Sequence, residues 1–226
     1  MIVAGLSERL LSAAELVRRG AVLADVGTDH AYLPLFLLKE GVISRAVCSD
    51  VNCGPLESAK ANARDMGLYG KIDFILSDGA EALSGLGVSD VAICGMGGEL
   101  IADIISRADN LRDGELNLIL QPMTRVAHLR SFLWKEGFFV VKERYTREGD
   151  RAYVVMQARY DGTPRSISYA ESELGSLLHG AKTPPERYYL EKRRDSLQRI
   201  AKGKLKGGER EPREASLIAL IEELLK

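Results

Sequence analysis

Ala21-Val22-Leu23-Ala24-Asp25-Val26-Gly27-Thr28-Asp29-His30 decides the fold. An apolar run ends in an acid, turns at a glycine and continues into a polar pair. A second apolar segment, residues 31–38, follows and stops at Gly41. The pattern predicts strand, tight turn, helix. Gly27 lets the backbone turn without a Cβ and come close to a ligand, and the next helix aims free N–H groups at that place. A doubly wound α/β sheet begins a nucleotide site in this way. A dinucleotide turn needs three spaced glycines, and Asp29 and Tyr32 stand where the later two belong. A carboxylate there repels a pyrophosphate and suits a ligand with amine or sulfonium charge. A D-x-G pattern alone serves equally as a ligand loop or as an ordinary strand-exit turn.

The spacing of later strand ends extends the pattern. Residues 45–51 read as a second strand ending at Asp50, 25 positions after Asp25, where such folds hold ribose hydroxyls. Gly54-Pro55 opens a helix with proline in its first turn, and Gly67 closes it. Residues 72–76 form a third strand, running into Asp78-Gly79. Residues 90–94 form a fourth, followed by Gly95-Met96-Gly97-Gly98 and a helix to about Ala108. Three glycines in four positions clear a flat floor at the sheet mouth. A fifth strand, residues 116–120, is expected to end at Pro122, with Gln121 offering an amide beside the glycines. A helix over 125–136 follows. Residues 138–145 and 152–160 then flank a turn and read as an antiparallel hairpin. Five βα units closed by such a hairpin are the methyltransferase form of the sheet. Before all this, residues 6–19 show helical periodicity, with Ser7 as cap and Gly20 as stop.

The turn-rich stretch 161–166 marks a boundary, dividing a catalytic domain, 1–160, from a helical appendage, 161–226. A short helix over 172–179 precedes one from Glu186 to about Lys202 and one over 214–225. The last two carry apolar seams, and a coiled-coil-like antiparallel pair is expected. The whole chain of 226 residues carries net charge −1, so no global field draws in nucleic acid or membrane. The segment 186–213, however, holds ten Lys/Arg against five Asp/Glu. A basic appendage on an acidic body points to a phosphate backbone; a solvated helical face is the plainer alternative. Cys48, Cys53 and Cys94 form no C-x-x-C pair; Cys48 and Cys94 sit in apolar, strand-like runs and are expected to be buried free thiols, which fits a reducing cytoplasm. No apolar run reaches spanning length, and residues 1–5 show no basic region before a signal core. Neither a membrane partner nor a metal is expected.

The motifs Asp25-Val26-Gly27-Thr28-Asp29-His30-Ala31-Tyr32-Leu33-Pro34, Asp50 with Gly54-Pro55, Asp78-Gly79, Gly95-Met96-Gly97-Gly98 and Leu118-Ile119-Leu120-Gln121-Pro122 resemble a known family over residues 6–160. It is the TrmK family of bacterial tRNA methyltransferases that act on N1 of adenine 22. Thr28 replaces an expected serine, and Met123 an expected asparagine. The resemblance implies a Rossmann-like, class I methyltransferase fold, S-adenosylmethionine as methyl donor and an adenine of tRNA as acceptor.

The site residues follow from it. Asp25, Gly27, Asp29, Asp50, Val51, Asp78, Gly79, Gly95, Met96 and Gly97 line the cofactor. Asp29 takes the ammonium, Asp50 the ribose and Asp78 the adenine amine. Asp29, His30 and Gln121 stand nearest the chemistry. Tyr32, Gly98, Pro122, Arg125, Arg147, Lys192, Arg193 and Arg194 meet the RNA. His30 orients the acceptor base, donates to Asp29, or is structural. N1 of adenine holds a free lone pair, so alignment rather than an acid–base dyad is expected to carry the rate. A cytoplasmic monomer or weak dimer is expected. A methyltransferase for another RNA, a protein or a small molecule, and a non-catalytic RNA- or nucleotide-binding module, are the competing readings.

Overall fold

The computed structural model describes residues 6–208 and 212–226. The expectation for residues 1–5, and the charges counted at 209–211, lie outside the described residues. Seven strands build one sheet: β1 (Val22–Val26), β2 (Arg45–Asp50), β3 (Ile72–Leu76), β4 (Asp90–Gly97), β5 (Asn117–Thr124), β6 (Phe138–Glu148) and β7 (Arg151–Tyr160). Their order is β3-β2-β1-β4-β5-β7-β6. Strands β1 to β5 pair in parallel, and β7 joins β5 and β6 antiparallel. The expected Rossmann-like sheet with its terminal hairpin is therefore present. The strand order reverses between β1 and β4, and a ligand crevice opens at the carboxyl ends of strands at such a point.

Successive strand residues feed opposite cores, as a period of two requires. Leu23, Ala46, Cys48, Ala92 and Ile119 pack under α1 (Glu8–Ala14), α2 (Tyr32–Lys39) and α3 (Cys53–Asp65). Ala24, Val47, Val91, Ile93, Leu118 and Leu120 pack under α4 (Gly98–Arg107) and α5 (Val126–Lys135). The same second core takes in Leu174 of α6 (Tyr169–Leu174), Leu190 and Leu197 of α7 (Pro184–Lys206), and Leu217 and Ile221 of α8 (Glu214–Leu224). Capping boxes start α6 (Ser168 with Glu171) and α7 (Thr183 with Glu186), each satisfying two orphan donors. Buried polar bonds fasten this segment to the sheet. Arg130 of α5 donates to Glu143 of β6 at 2.6 Å and to the carbonyls of Ser172 and Glu173. Tyr145 packs edge-on against Tyr189, centroids 4.8 Å apart.

Four local expectations need correction. The short helix expected over 172–179 is instead α6, which ends at Leu174, followed by a 3-10 turn over Gly175–His179, because Gly175 leaves the helix with φ +54°. The first helix ends at Ala14, not near Arg19, and Ser7 makes no side-chain cap. Beyond Ala14 the chain unwinds because long-range partners take its polar groups. The Leu16 carbonyl accepts from Asn117, and Arg18 N and Nε donate to the two oxygens of fully buried Asp90. The fourth strand does not stop at Cys94 but continues to Gly97, with register shifts around Met96. The fifth runs past Pro122 to Thr124. Its ladder to β7 covers only Leu118–Leu120, so Pro122 lies where one side of β5 is already unpaired and tolerates a missing N–H. The expected floor of glycines is thus a bulged extension of β4.

Candidate active site

The parallel register sets the carboxyl ends of β1, β2, β3 and β4 side by side: Val26 faces Ser49 and Ile93, and Asp50 faces Leu76. Gly27 turns with φ +74°. The N–H groups of Gly27 and Thr28 both donate to the Ser49 carbonyl, at 2.8 and 2.9 Å. The turn is thereby tied to β2 and brings Asp25 toward Asp50. The Thr28 hydroxyl donates to Asp25 at 2.6 Å, the task a serine would also perform. Burial pushes the Asp25 carboxyl up to about 6, against the Thr28 bond and with help from the charge of Asp50. Burial, followed by the charge of Asp25, also pushes the Cys48 and Cys94 thiols up. Both remain protonated packing groups.

Asp50 accepts from Asn52 N at 2.7 Å, and its carbonyl accepts from Ser77 N, so the ends of β2 and β3 are linked. Val51 beside it is exposed. Asp78 and Gly79 follow β3. Asp78 is exposed and takes a 3.3 Å bond from Arg107 of α4, which also holds Asp103 and Glu81. Gly79 has φ +96°. At the start of α2, exposed Asp29 lies 3.5 Å from His30 Nε2. His30 stacks on Tyr32, centroids 5.0 Å apart, and its carbonyl accepts from Asn62 of α3. Ala31 between them has φ +55°, a strained value for a residue with a Cβ.

Across the switch point, Gly95 (φ +80°) donates its N–H to Gln121 Oε1 at 3.1 Å. Arg9 of α1 donates to the same oxygen at 3.1 Å. Gln121 Nε2 donates to the Pro122 carbonyl and lies 3.6 Å from Met123 Sδ. The Gln121 amide is buried and committed to holding the strand tips; Met123 keeps a contact with it. The Met96 side chain crosses to β1, where a Cβ on Gly27 would strike its Cε. Gly97 faces Thr124, and Gly98, the first residue of α4, is buried with Arg125 O 2.6 Å and Thr124 O 2.8 Å from where a Cβ would stand. Gly98 therefore seats α4 against the turn into α5. Arg125 in that turn has φ +56° and pairs with Glu99 at 3.1 Å.

The residues expected to meet RNA divide into groups. Pro122, Lys192 and Arg193 line one cleft of about 160 Å³. Arg125 and Arg193 line a larger one of about 880 Å³, together with His128, Lys204 and Arg213. Arg193 also pairs with Glu173. Arg147, at the hairpin tip, lies 4.1 Å over the Tyr188 ring, with Lys192 near the same ring at 5.2 Å. Arg194 pairs with its neighbour Asp195 at 2.8 Å and lines neither cleft. Sequence reasoning missed Arg9, Glu148 and Arg107. Apart from Asp103 on the same helix as Arg107, their partners are remote, 112 positions for Arg9 and Gln121, and no local motif flags them.

The donor set fits a nucleoside with an amino-acid arm. Acids lie at successive strand tips, backbone without Cβ lies at Gly27 and Gly95, and the side chain over Gly27 is an unbranched methionine that can swing aside. Among the described residues no group of three His, Cys, Asp or Glu could hold a metal, and no helix is long and apolar enough to cross a membrane.

Comparison with known proteins places the chain in a family. The methyltransferase-domain family matches residues 6–156. The tRNA (adenine(22)-N(1))-methyltransferase of Bacillus subtilis strain 168 is 36% identical over 164 residues, 70% of this chain and 69% of its own. The crystal structure of the B. subtilis m1A22 tRNA methyltransferase TrmK superposes with TM-score 0.82 at 28% identity, covering 98% of this chain and 99% of that one. TrmK of M. capricolum, solved in complex with its cofactor product S-adenosylhomocysteine, gives TM-score 0.74 at 27% identity over 97% and 94%. The two structural matches extend through the C-terminal helices as well as the sheet, and the chain belongs to the TrmK family of tRNA adenine-22 N1-methyltransferases.

Proposed function

We propose that this chain transfers a methyl group from S-adenosylmethionine to N1 of adenine 22 in tRNA. The observation that supports the reading is the parallel register that sets the carboxyl ends of β1, β2 and β4, with Asp25 and Gly27, Asp50, and Gly95, side by side, in a chain of this family. Asp50 would hold the ribose, Asp78 with Gly79 the adenine end and Asp29 the ammonium, with Val51, Met96 and Gly97 as apolar or bare walls. Bound there, S-adenosylmethionine supplies an electrophilic methyl carbon. N1 of adenine carries its lone pair free near neutral pH, so no side chain must first remove a proton. The protein's work is to hold the acceptor in line. Gln121 does this indirectly, by fixing Gly95, while His30 and Tyr32 offer a stacked pair at the rim. N1 lies on the Watson–Crick edge, so a paired target must leave its stack first.

The helical segment after residue 160 acts as the RNA grip. Arg125, Lys192 and Arg193 line its clefts, Arg147 extends the basic track past Tyr188, and Arg194 adds charge on α7. The substrate sets a cytoplasmic site of action, and a monomer or weak dimer suffices for it. The test is labelled methyl transfer into an unmodified tRNA transcript with mapping of the product. One-methyladenosine at position 22, and no label in a transcript with guanosine there, is the expected result. Label in another nucleoside, in protein or nowhere refutes the reading.

A further inference from the structure

The cleft of about 160 Å³ beside the β5 tip is an alcove with a chemistry of its own. Pro122, Met123 and Val126 wall it from β5 and the turn into α5, Tyr153 and Val154 from β7, and Tyr189 from α7. Lys192, Arg193 and Ser196 of α7 close it, and no residue that lines it is an acid. The larger cleft, by contrast, gathers Arg125, His128, Lys204 and Arg213 with the acids Glu173 and Glu214. The two meet along α7, where they share Tyr189 and Arg193. An apolar, aromatic alcove therefore opens off a charged trough, a pairing that suits a nucleobase and the backbone that carries it. Met123, which stands where asparagine is expected, adds to this character. Its unbranched thioether, 3.6 Å from Gln121 Nε2, gives the alcove a wall that adapts to an aromatic face.

The place of the alcove says which base it suits. β7 adjoins β5, which adjoins β4, and neighbouring strands lie about 4.8 Å apart. The alcove thus sits roughly 5–10 Å beyond the β4 tip. That is too far for the N1 that must touch the methyl carbon at the β1–β4 crevice, and within reach of the adjoining nucleotide. Lys192 belongs both to the alcove and to the cluster in which Arg147 lies 4.1 Å over the Tyr188 ring, so two cations flank the rim that a phosphate would cross. We infer that the alcove seats the nucleobase next to adenine 22, lifted from its stack. The RNA is then held by two extruded bases, the target at the β4 tip and its neighbour between β5, β7 and α7. The inference rests on the tRNA methylation reading and deepens it. Seating the neighbour offsets part of the cost of unstacking the target, and contact with rings requires no particular base.

The test uses the full chain and tRNA transcripts with an abasic residue on one side or the other of adenine 22, compared by initial rates of methyl transfer. One of the two abasic transcripts is expected to lose about tenfold or more in kcat/KM with the wild-type chain. Ser196→Trp, which fills the alcove, should lose a similar factor on intact tRNA, and Tyr153→Leu, which removes a ring, a smaller one. On that abasic transcript neither variant should lose more than about twofold further. Calorimetric affinity for S-adenosylhomocysteine should match the wild type in both variants. Equal rates on both abasic transcripts and intact tRNA overturn the inference without any variant. Equal losses by the variants on intact and abasic transcripts overturn it too, because the alcove then serves the target base or the frame. If the wild-type chain does not methylate adenine 22 of intact tRNA, the tRNA reading itself fails.

Discussion

Arg130→Met should separate the frame of the molecule from its cradle. Arg130 and Glu143 have side chains only 2% exposed each, 2.6 Å apart. Removing the guanidinium leaves Glu143 with the Tyr145 hydroxyl at 2.6 Å and Ser176 N at 2.7 Å. It also strips donors from the carbonyls of Ser172 and Glu173, now at 2.8 and 3.1 Å. Breaking a buried pair on one side costs about 3–5 kcal/mol, a large share of the roughly 5–15 kcal/mol that stabilises a domain. Arg130→Met/Glu143→Met removes both charges, and at least half of the loss should return. The orphaned carbonyls, at about 1 kcal/mol each, keep recovery incomplete. Urea denaturation followed by Trp134 fluorescence and circular dichroism reads both numbers. None of the Arg130 partners lies at the tips of β1 or β2, so affinity for S-adenosylhomocysteine should hold within about twofold, while tRNA methylation falls. The acid limb adds a sign. Burial alone would raise the Glu143 carboxyl, but the Arg130 charge, the Tyr145 hydroxyl and the Ser176 N–H outweigh it and hold it below the ordinary range. Its stabilisation is therefore present above the unfolded value of about 4.3 and lost as pH falls through the folded one. A single variant costing under about 1 kcal/mol, or a double as unstable as the single, refutes the reasoning.

Asp25→Asn should stabilise the chain near pH 7 and change nothing near pH 4. The folded carboxyl titrates at about 6 against an unfolded value of about 3.9, so its contribution is full below about pH 4 and lost as pH rises through 6; the difference is at most about 3 kcal/mol. Thermal melts across that window measure it, and parallel curves for the two proteins would contradict it. Gly98→Ala should cost about 1–3 kcal/mol, because the backbone oxygens of Thr124 and Arg125 cannot yield to a Cβ. Denaturation midpoints test this, an unchanged midpoint standing against it. Lys192→Gln with Arg194→Gln should lower tRNA affinity and reduce the salt slope by about 2 at most, read by filter binding over a salt series. An unchanged slope would remove α7 from the interface.

Much of the architecture is legible in local sequence, because local physics determines it. The apolar run before Gly27, the strand-end acids and the two runs around Gly149 lead directly to β1, the ends of β2 and β3, and the hairpin. The failures share a cause. Residues 15–19 keep helical periodicity, yet buried Asp90 and Asn117, far along the chain, take their polar groups. Pro122 signals an end to β5, but the sheet has already lost β7 at that point and β4 continues beside it. Gln121 looks like a free amide until the fold brings Arg9 and Gly95 to it. Position along the chain says nothing of such partners.

The account depends on strand tips that together hold a sulfonium nucleoside, and calorimetric titration of S-adenosylmethionine into the wild-type chain and Asp50→Ala tests it most directly. Asp50 stands at the end of β2, coupled through space to Asp25. Loss of the bonds proposed between Asp50 and the ribose should weaken binding about ten- to a hundredfold with one site retained. Equal affinity of the two proteins, or no binding by the wild-type chain, would contradict the claim.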